Sequence, residues 1–141
     1  MSTKSIVTWL DDMAFDVEVN GHHFTIDAEE RVGGKNRGPR PKPLILASLA
    51  GCTGMDVVSI LKKMKVKDYK FHLEVEALQT DVHPKYYHTI YLSYIFEGKD
   101  LPIEKLKRAV ELSETRYCGV SEMLRKSSKI ITKILLNGVE I

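Results

Sequence analysis

The sequence predicts an α+β fold, with antiparallel sheets around a central apolar helix. Three observations carry this. Several segments alternate apolar and polar residues with the period of a strand, as in "YKFHLEVEAL" (69–78). One long apolar run, "LILASLAGCTGMDVVSIL" (44–61), has helical rather than strand length. Turn residues punctuate the segments, giving the order βββ-α-ββ-α-α-β within one domain, residues 1–141.

The elements follow in order. "SIVTWL" and "FDVEV" read as strands, and Asn20-Gly21 turns the chain tightly into a third, "HHFTIDA". "EERVGGKNRGPRPKP" is rich in Gly, Pro and charge, and is expected to be loop. Pro43 suits the first turn of a helix running from Leu44 to about Lys63. Phe71, Leu73, Val75 and Ala77 share one face of the next strand, and "YYHTIYLSYIFEG" pairs with it across "QTDVHPK". Asp100 and Pro102 announce a helix whose inward stripe is Ile103, Leu106, Ala109, Val110 and Ser113. "RYCGVSEMLRKS" reads as a turn and a short helix with Val120, Met123 and Leu124 inward, and "KIITKILL" closes the chain as a strand.

Composition narrows the function. Net charge of +2 and 28% charged residues argue against a dedicated nucleic-acid binder. The start, "MSTKSIVTWLDDM", lacks the apolar stretch of a secretory signal, so a cytoplasmic, reducing location is expected. Asp56 is expected to interrupt the apolar run and leave it too short for a membrane span. Two cysteines in a reducing compartment are more often catalytic or redox-active than a structural staple.

The central helix holds the sharper signal. Gly51 and Gly54 flank Cys52, although glycine inside a helix costs about 0.5–1 kcal/mol relative to alanine. Ala47 and Gly51, like Ala50 and Gly54, stand four apart, a spacing that lets two helix backbones approach closely. With apolar or small residues nearly all round from Leu44 to Gly54, a homodimer is expected to bury this helix. The competing reading is a tightly packed core helix in a monomer.

Taken together, "LILASLAGCTGMDVVSIL" and "RYCGVSEML" resemble the two cysteine motifs of the OsmC/Ohr family, the osmotically inducible and organic-hydroperoxide-resistance proteins. The resemblance spans the whole chain. It implies an intertwined homodimer with sites at the subunit interface, no cofactor, and reduction of a small hydroperoxide at the expense of a dithiol reductant. Carried over, Cys52 is the peroxidatic thiol and Cys118 the resolving one. Family members carry an arginine some twenty residues before the first thiol, and Arg31 is the nearest match. They also carry a glutamate about ten residues before it, where this chain has Lys42. That exchange implies loop arginines without a carboxylate anchor and a slow enzyme. The alternative it implies is a catalytically weakened dimer that binds a small ligand in the interfacial cleft.

The chemistry stands on its own terms too. A peroxidatic cysteine reacts as thiolate, favoured by positive charge or helix N-terminal amides. Cys118 is expected at the start of the "GVSEML" helix, whereas Cys52 lies deep within its own and needs a cation. Candidates are Arg31, Lys35, Arg37, Arg40, Lys42 and Arg116. "GGKNRGPRPK" suggests anion binding by Arg37, Arg40 and Lys42, although it fails the phosphate-loop pattern. The histidines lack metal-ligand spacing, so no metal is expected. Asp56 is expected at an interface or on a polar edge of the helix.

Overall fold

The computed structural model describes every residue from Met1 to Ile141, in two compact units, 1–45 and 46–141. The N-terminal unit is a meander of β1 (Ser5–Asp11), β2 (Ala14–Val19) and β3 (His22–Ile26), paired antiparallel in that order. Asn20 (φ 50°) and Gly21 (φ 78°) both take the left-handed conformation that a two-residue hairpin requires, which fixes the register Val19↔His22. Asp27 organises the segment that follows. Its buried carboxylate accepts from the backbone N–H groups of Ala28, Lys35 and Arg37 and from Arg37 Nε. A 3₁₀ turn at Glu30–Val32 is the regular piece within a stretch expected to be loop.

In the C-terminal unit, α1 (Leu44–Lys63, its first residues in the preceding unit) precedes β4 (Lys70–Gln79) and β5 (Tyr87–Glu97). Helices α2 (Ile103–Leu112) and α3 (Gly119–Arg125) then lead to β6 (Lys129–Leu136) and the two-residue β7 (Val139–Glu140). The sheet order is β4-β5-β6-β7. Alternation along β4 turns Phe71, Leu73, Val75 and Ala77 to the core, where Leu49, Val57 and Leu61 of α1 meet Ile90, Leu92, Tyr94 and Phe96 of β5. Phe71 stacks on Phe96 with ring centroids 4.5 Å apart.

The expected α+β order and helix limits hold, with four refinements. Pairing is antiparallel throughout except β5–β6, which run parallel because α2 and α3 form a crossover between them. Ile103 and Met123, expected inward, are exposed at 42% and 63%. Gly54 is the small residue that packs within the chain: a Cβ there would lie 3.0 Å from Leu73 Cδ1 of β4, while one on Gly51 would meet open space. Finally, α1 runs unbroken through Asp56. At 20 residues, with a mean hydropathy of 1.9 over its most apolar 18, it is long and apolar enough to cross a membrane. Yet its Leu49, Val57 and Leu61 pack in the protein core, and Asp56 accepts a hydrogen bond from Ser113.

Candidate active site

Beyond Leu112 the chain continues from α2 as a π turn, Ser113–Tyr117, closed by the Cys118 N–H on the Ser113 carbonyl at 2.7 Å. It brings two groups to α1: Ser113 at its beginning and Cys118 at its end. Cys118 is the N-cap of α3, as expected, and its sulfur accepts from the Ser121 N–H at 3.4 Å. Cys52 faces it from the middle of α1. The two sulfurs and a carboxylate oxygen of Asp56 all lie within 4.8 Å of one another. Asp56 stands four residues after Cys52 and so shares its helix face.

Both thiols are free; Cys52 is half-buried and Cys118 buried. Burial pushes the Cys52 thiol above its ordinary pKa, and a hydrogen bond with Cys118 adds to the rise. The Val120 N–H pulls the other way, while the charges of Cys118 and Asp56 raise it further. The first turn of α3 thus feeds one amide to each sulfur. Ser121 itself is buried, and its hydroxyl has no hydrogen-bond partner.

Behind the thiols lies a polar seam. Thr53 Oγ1 is 2.7 Å from both Tyr94 Oη and Ser113 Oγ. Ser113 donates to Asp56 Oδ2 at 2.9 Å, and Tyr94 donates to Glu114 Oε1 at 2.9 Å. Thr132 donates to the same Glu114 oxygen at 2.6 Å. Burial and the adjacent Glu114 hold the Tyr94 phenol far above its usual range, so it stays protonated. Cys52, Asp56 and Cys118 form the one convergent set of thiol and carboxylate donors.

The structure brings Cys52 and Cys118 together in the C-terminal unit. Arg31, Arg37, Arg40 and Lys42 belong to the N-terminal unit, where local partners engage the arginines. Arg31 forks onto Glu29 with Nε and Nη2 each 3.0 Å from a carboxylate oxygen. The loop arginines were expected to lack a carboxylate anchor, but Arg31 has one at the residue that precedes the 3₁₀ turn. Arg37 bridges Asp27 and Asp11, and Arg40 donates to the Gly38 carbonyl and the Asn36 side chain. Lys42 stands in the turn entering α1, its carbonyl accepting from Ile45 N–H. Arg116 lies over the Tyr117 ring, 5.8 Å from its centre. The residue that sequence reading placed without a role is Asp56. Its i, i+4 relation to Cys52 was visible, but the Ser113 that holds it comes from 57 positions away.

Comparison with known proteins agrees with this picture. The family model for OsmC-like protein matches residues 33–133. Protein YhfA of Escherichia coli (strain K12) is 30% identical over 125 residues, covering 88% of this chain and 90% of the relative. The crystal structure of a hypothetical protein from Aquifex aeolicus VF5 superposes with a TM-score of 0.82 at 26% identity, over 97% of this chain and 96% of that one. An organic hydroperoxide resistance protein from Legionella pneumophila has the same fold, with a TM-score of 0.67 at 13% identity and 96% of both chains covered. The paired cysteines, the element order and these matches lead to one conclusion: the chain belongs to the OsmC-like family.

Proposed function

We propose that this protein is a cysteine-based hydroperoxide reductase, with Cys52 peroxidatic and Cys118 resolving. The observation that carries the reading is the approach of the two free sulfurs to within 4.8 Å of one another. The description of fold neighbours from Legionella pneumophila and Elizabethkingia anophelis as organic hydroperoxide resistance proteins supports it. Cys52 thiolate attacks one peroxide oxygen, giving Cys52 sulfenic acid and, after protonation, an alcohol. The Cys118 thiol then displaces water from that sulfenic acid and forms the disulfide. A dithiol reductant restores both thiols and is itself oxidised to a disulfide. A cytoplasmic location keeps the resting thiols reduced.

The working form is a homodimer. In its support, the α1 face that carries Met55 (77% exposed) and Val58 (46%) is apolar and uncovered in the single chain. Turnover is slow, since burial raises the Cys52 thiol and Lys42 stands where the family resemblance expects a glutamate.

Steady-state consumption of a small organic hydroperoxide with dithiothreitol tests the reading. Cys52→Ser should abolish turnover, Cys118→Ser should stall after one equivalent of peroxide, and Lys42→Glu should accelerate it. Wild-type turnover no faster than that of Cys52→Ser would reject it. The second reading, a dimer that binds a small ligand with little chemistry, would then stand on the raised Cys52 thiol.

A further inference from the structure

The polar seam behind the thiols is short of one hydrogen. Reading along it, Glu114 Oε1, Tyr94 Oη, Thr53 Oγ1, Ser113 Oγ and Asp56 Oδ2 make four successive oxygen–oxygen contacts of 2.7–2.9 Å. Three hydroxyls lie between the carboxylates, and each has a single hydrogen to donate. Thr132 brings its own hydrogen to Glu114 from outside the row, so it leaves the count unchanged. Tyr94, Thr53 and Ser113 are fully buried (0% exposed), beyond the reach of solvent. With both carboxylates ionised, Tyr94 donates to Glu114 and Ser113 to Asp56, and Thr53 can fill only one of its two contacts. One additional proton on Asp56 completes the row: Asp56 donates to Ser113, Ser113 to Thr53, Thr53 to Tyr94, and Tyr94 to Glu114.

We infer that Asp56 is the catalytic acid–base residue for Cys52, and that the incomplete hydroxyl row is what makes it a proton acceptor. The inference rests on the peroxidase reading and gives its thiol a route to ionisation that needs no cation. Asp56 lies within 4.8 Å of the Cys52 sulfur, a separation that a rotamer adjustment or one bridging water closes. The Cys52 S–H proton passes to Asp56, leaving thiolate and a complete row. The thiolate displaces an alkoxide from the hydroperoxide, and the S–O bond forms as the O–O bond breaks. Asp56 returns its proton to the alkoxide, so Cys52 thiol and ROOH become Cys52 sulfenic acid and ROH with no proton left over. The other titratable groups around Asp56 are Cys118, at the start of α3, and Lys63 and Tyr117, which line the same cleft. Tyr94, Thr53 and Ser113 are positioning residues that act through Asp56.

The count makes an unusual demand on Tyr94, which is bonded to neither Asp56 nor a sulfur. Tyr94→Phe removes one hydrogen and two contacts. Ser113 and Thr53 then have two hydrogens for two contacts, and the vacancy is gone. Thr53→Val does the same by splitting the row into two satisfied halves. The test is alkylation of Cys52 by iodoacetamide in the otherwise unaltered full chain, with no peroxide present, followed by mass spectrometry across a pH series. Asp56→Asn, Tyr94→Phe and Thr53→Val should each slow alkylation at pH 7 by about three- to tenfold, the scale of one hydrogen bond. Tyr94→Phe and Thr53→Val, which leave the Asp56 charge in place, should also move the midpoint of the pH profile upward. A simple packing role for Tyr94 would leave both unchanged. Wild-type rates in both Tyr94→Phe and Thr53→Val overturn the inference, even if Asp56→Asn is slow, because Asp56 would then act without the row. If Tyr94→Phe does not fold, the rate and midpoint of Thr53→Val decide between the two outcomes. Because the readout needs no turnover, a protein that fails to reduce hydroperoxides would leave this result intact and reject only the peroxidase reading.

Discussion

Oxidation should make the protein markedly more heat-stable, by an amount the chain positions set. A Cys52–Cys118 bond closes a loop of about 66 residues, for which loss of unfolded-state entropy is worth roughly 4 kcal/mol. A chain of 141 residues unfolds with an entropy of about 0.3 kcal/mol/K, so full realisation of that gain raises Tm by about 14 °C. The native state offsets part of it. The sulfurs lie up to 4.8 Å apart and must close to about 2.0 Å, which shifts α1 or the start of α3. The expected rise is therefore between about 5 and 14 °C. Scanning calorimetry of reduced and peroxide-treated protein at one concentration reads it, with mass spectrometry confirming the intrachain bond. Cys118→Ser should abolish the difference. An oxidised protein that carries the bond yet melts no higher would show that closing the pair strains the fold as much as it constrains the unfolded chain. Two free thiols after peroxide would refute the pairing itself.

Three further outcomes follow from particular contacts. Burial works against ionised Asp27, but its four N–H donors outweigh that penalty and hold the carboxyl at about 2. Its contribution to stability is thus complete above about pH 4 and lost as pH falls through about 2. Acid unfolding followed by circular dichroism should show that decline, and Asp27→Asn should flatten it while lowering stability at neutral pH. Ser121→Ala removes a buried hydroxyl without a partner, so urea unfolding should find it neutral or more stable by up to about 1 kcal/mol. Gly34→Ala would put a Cβ 2.0 Å from the Ala28 carbonyl oxygen. It should cost at least about 1–3 kcal/mol, with faster hydrogen exchange at Asn36, whose N–H bonds that same carbonyl.

Much of this was legible along the chain because it is governed by local rules. The limits of α1, the Asn20-Gly21 turn, the face of β4 and the capping place of Cys118 all follow from periodicity and turn chemistry. What was not legible depends on distant partners. Asp56 reads as a lone acid on an apolar helix until the chain brings Ser113 to it. The parallel pairing of β5 and β6 is decided by where the crossover ends, not by either strand's composition. Arg31 looks like a spare cation in a basic loop, yet Glu29, two residues earlier, takes both arms of its guanidinium. Ile103 and Met123 fit the apolar spacing of their helices, yet Leu106, Ala109 and Val110 in α2 and Val120 and Leu124 in α3 are the residues that meet the core.

The π turn between α2 and α3 makes the site tolerant of a change in chain length. A π turn holds one residue more than the α-helical turn it replaces, so its i, i+5 contact spans the same single turn as an α-helical i, i+4 contact. Removing a single position between Ser113 and Cys118, Thr115 for example, would let α2 continue with ordinary pitch. Cys118 would then follow Ser113 by four residues, and its N–H would still meet the Ser113 carbonyl one turn back. Among related chains, a one-residue gap at this point would therefore leave the second thiol in the site.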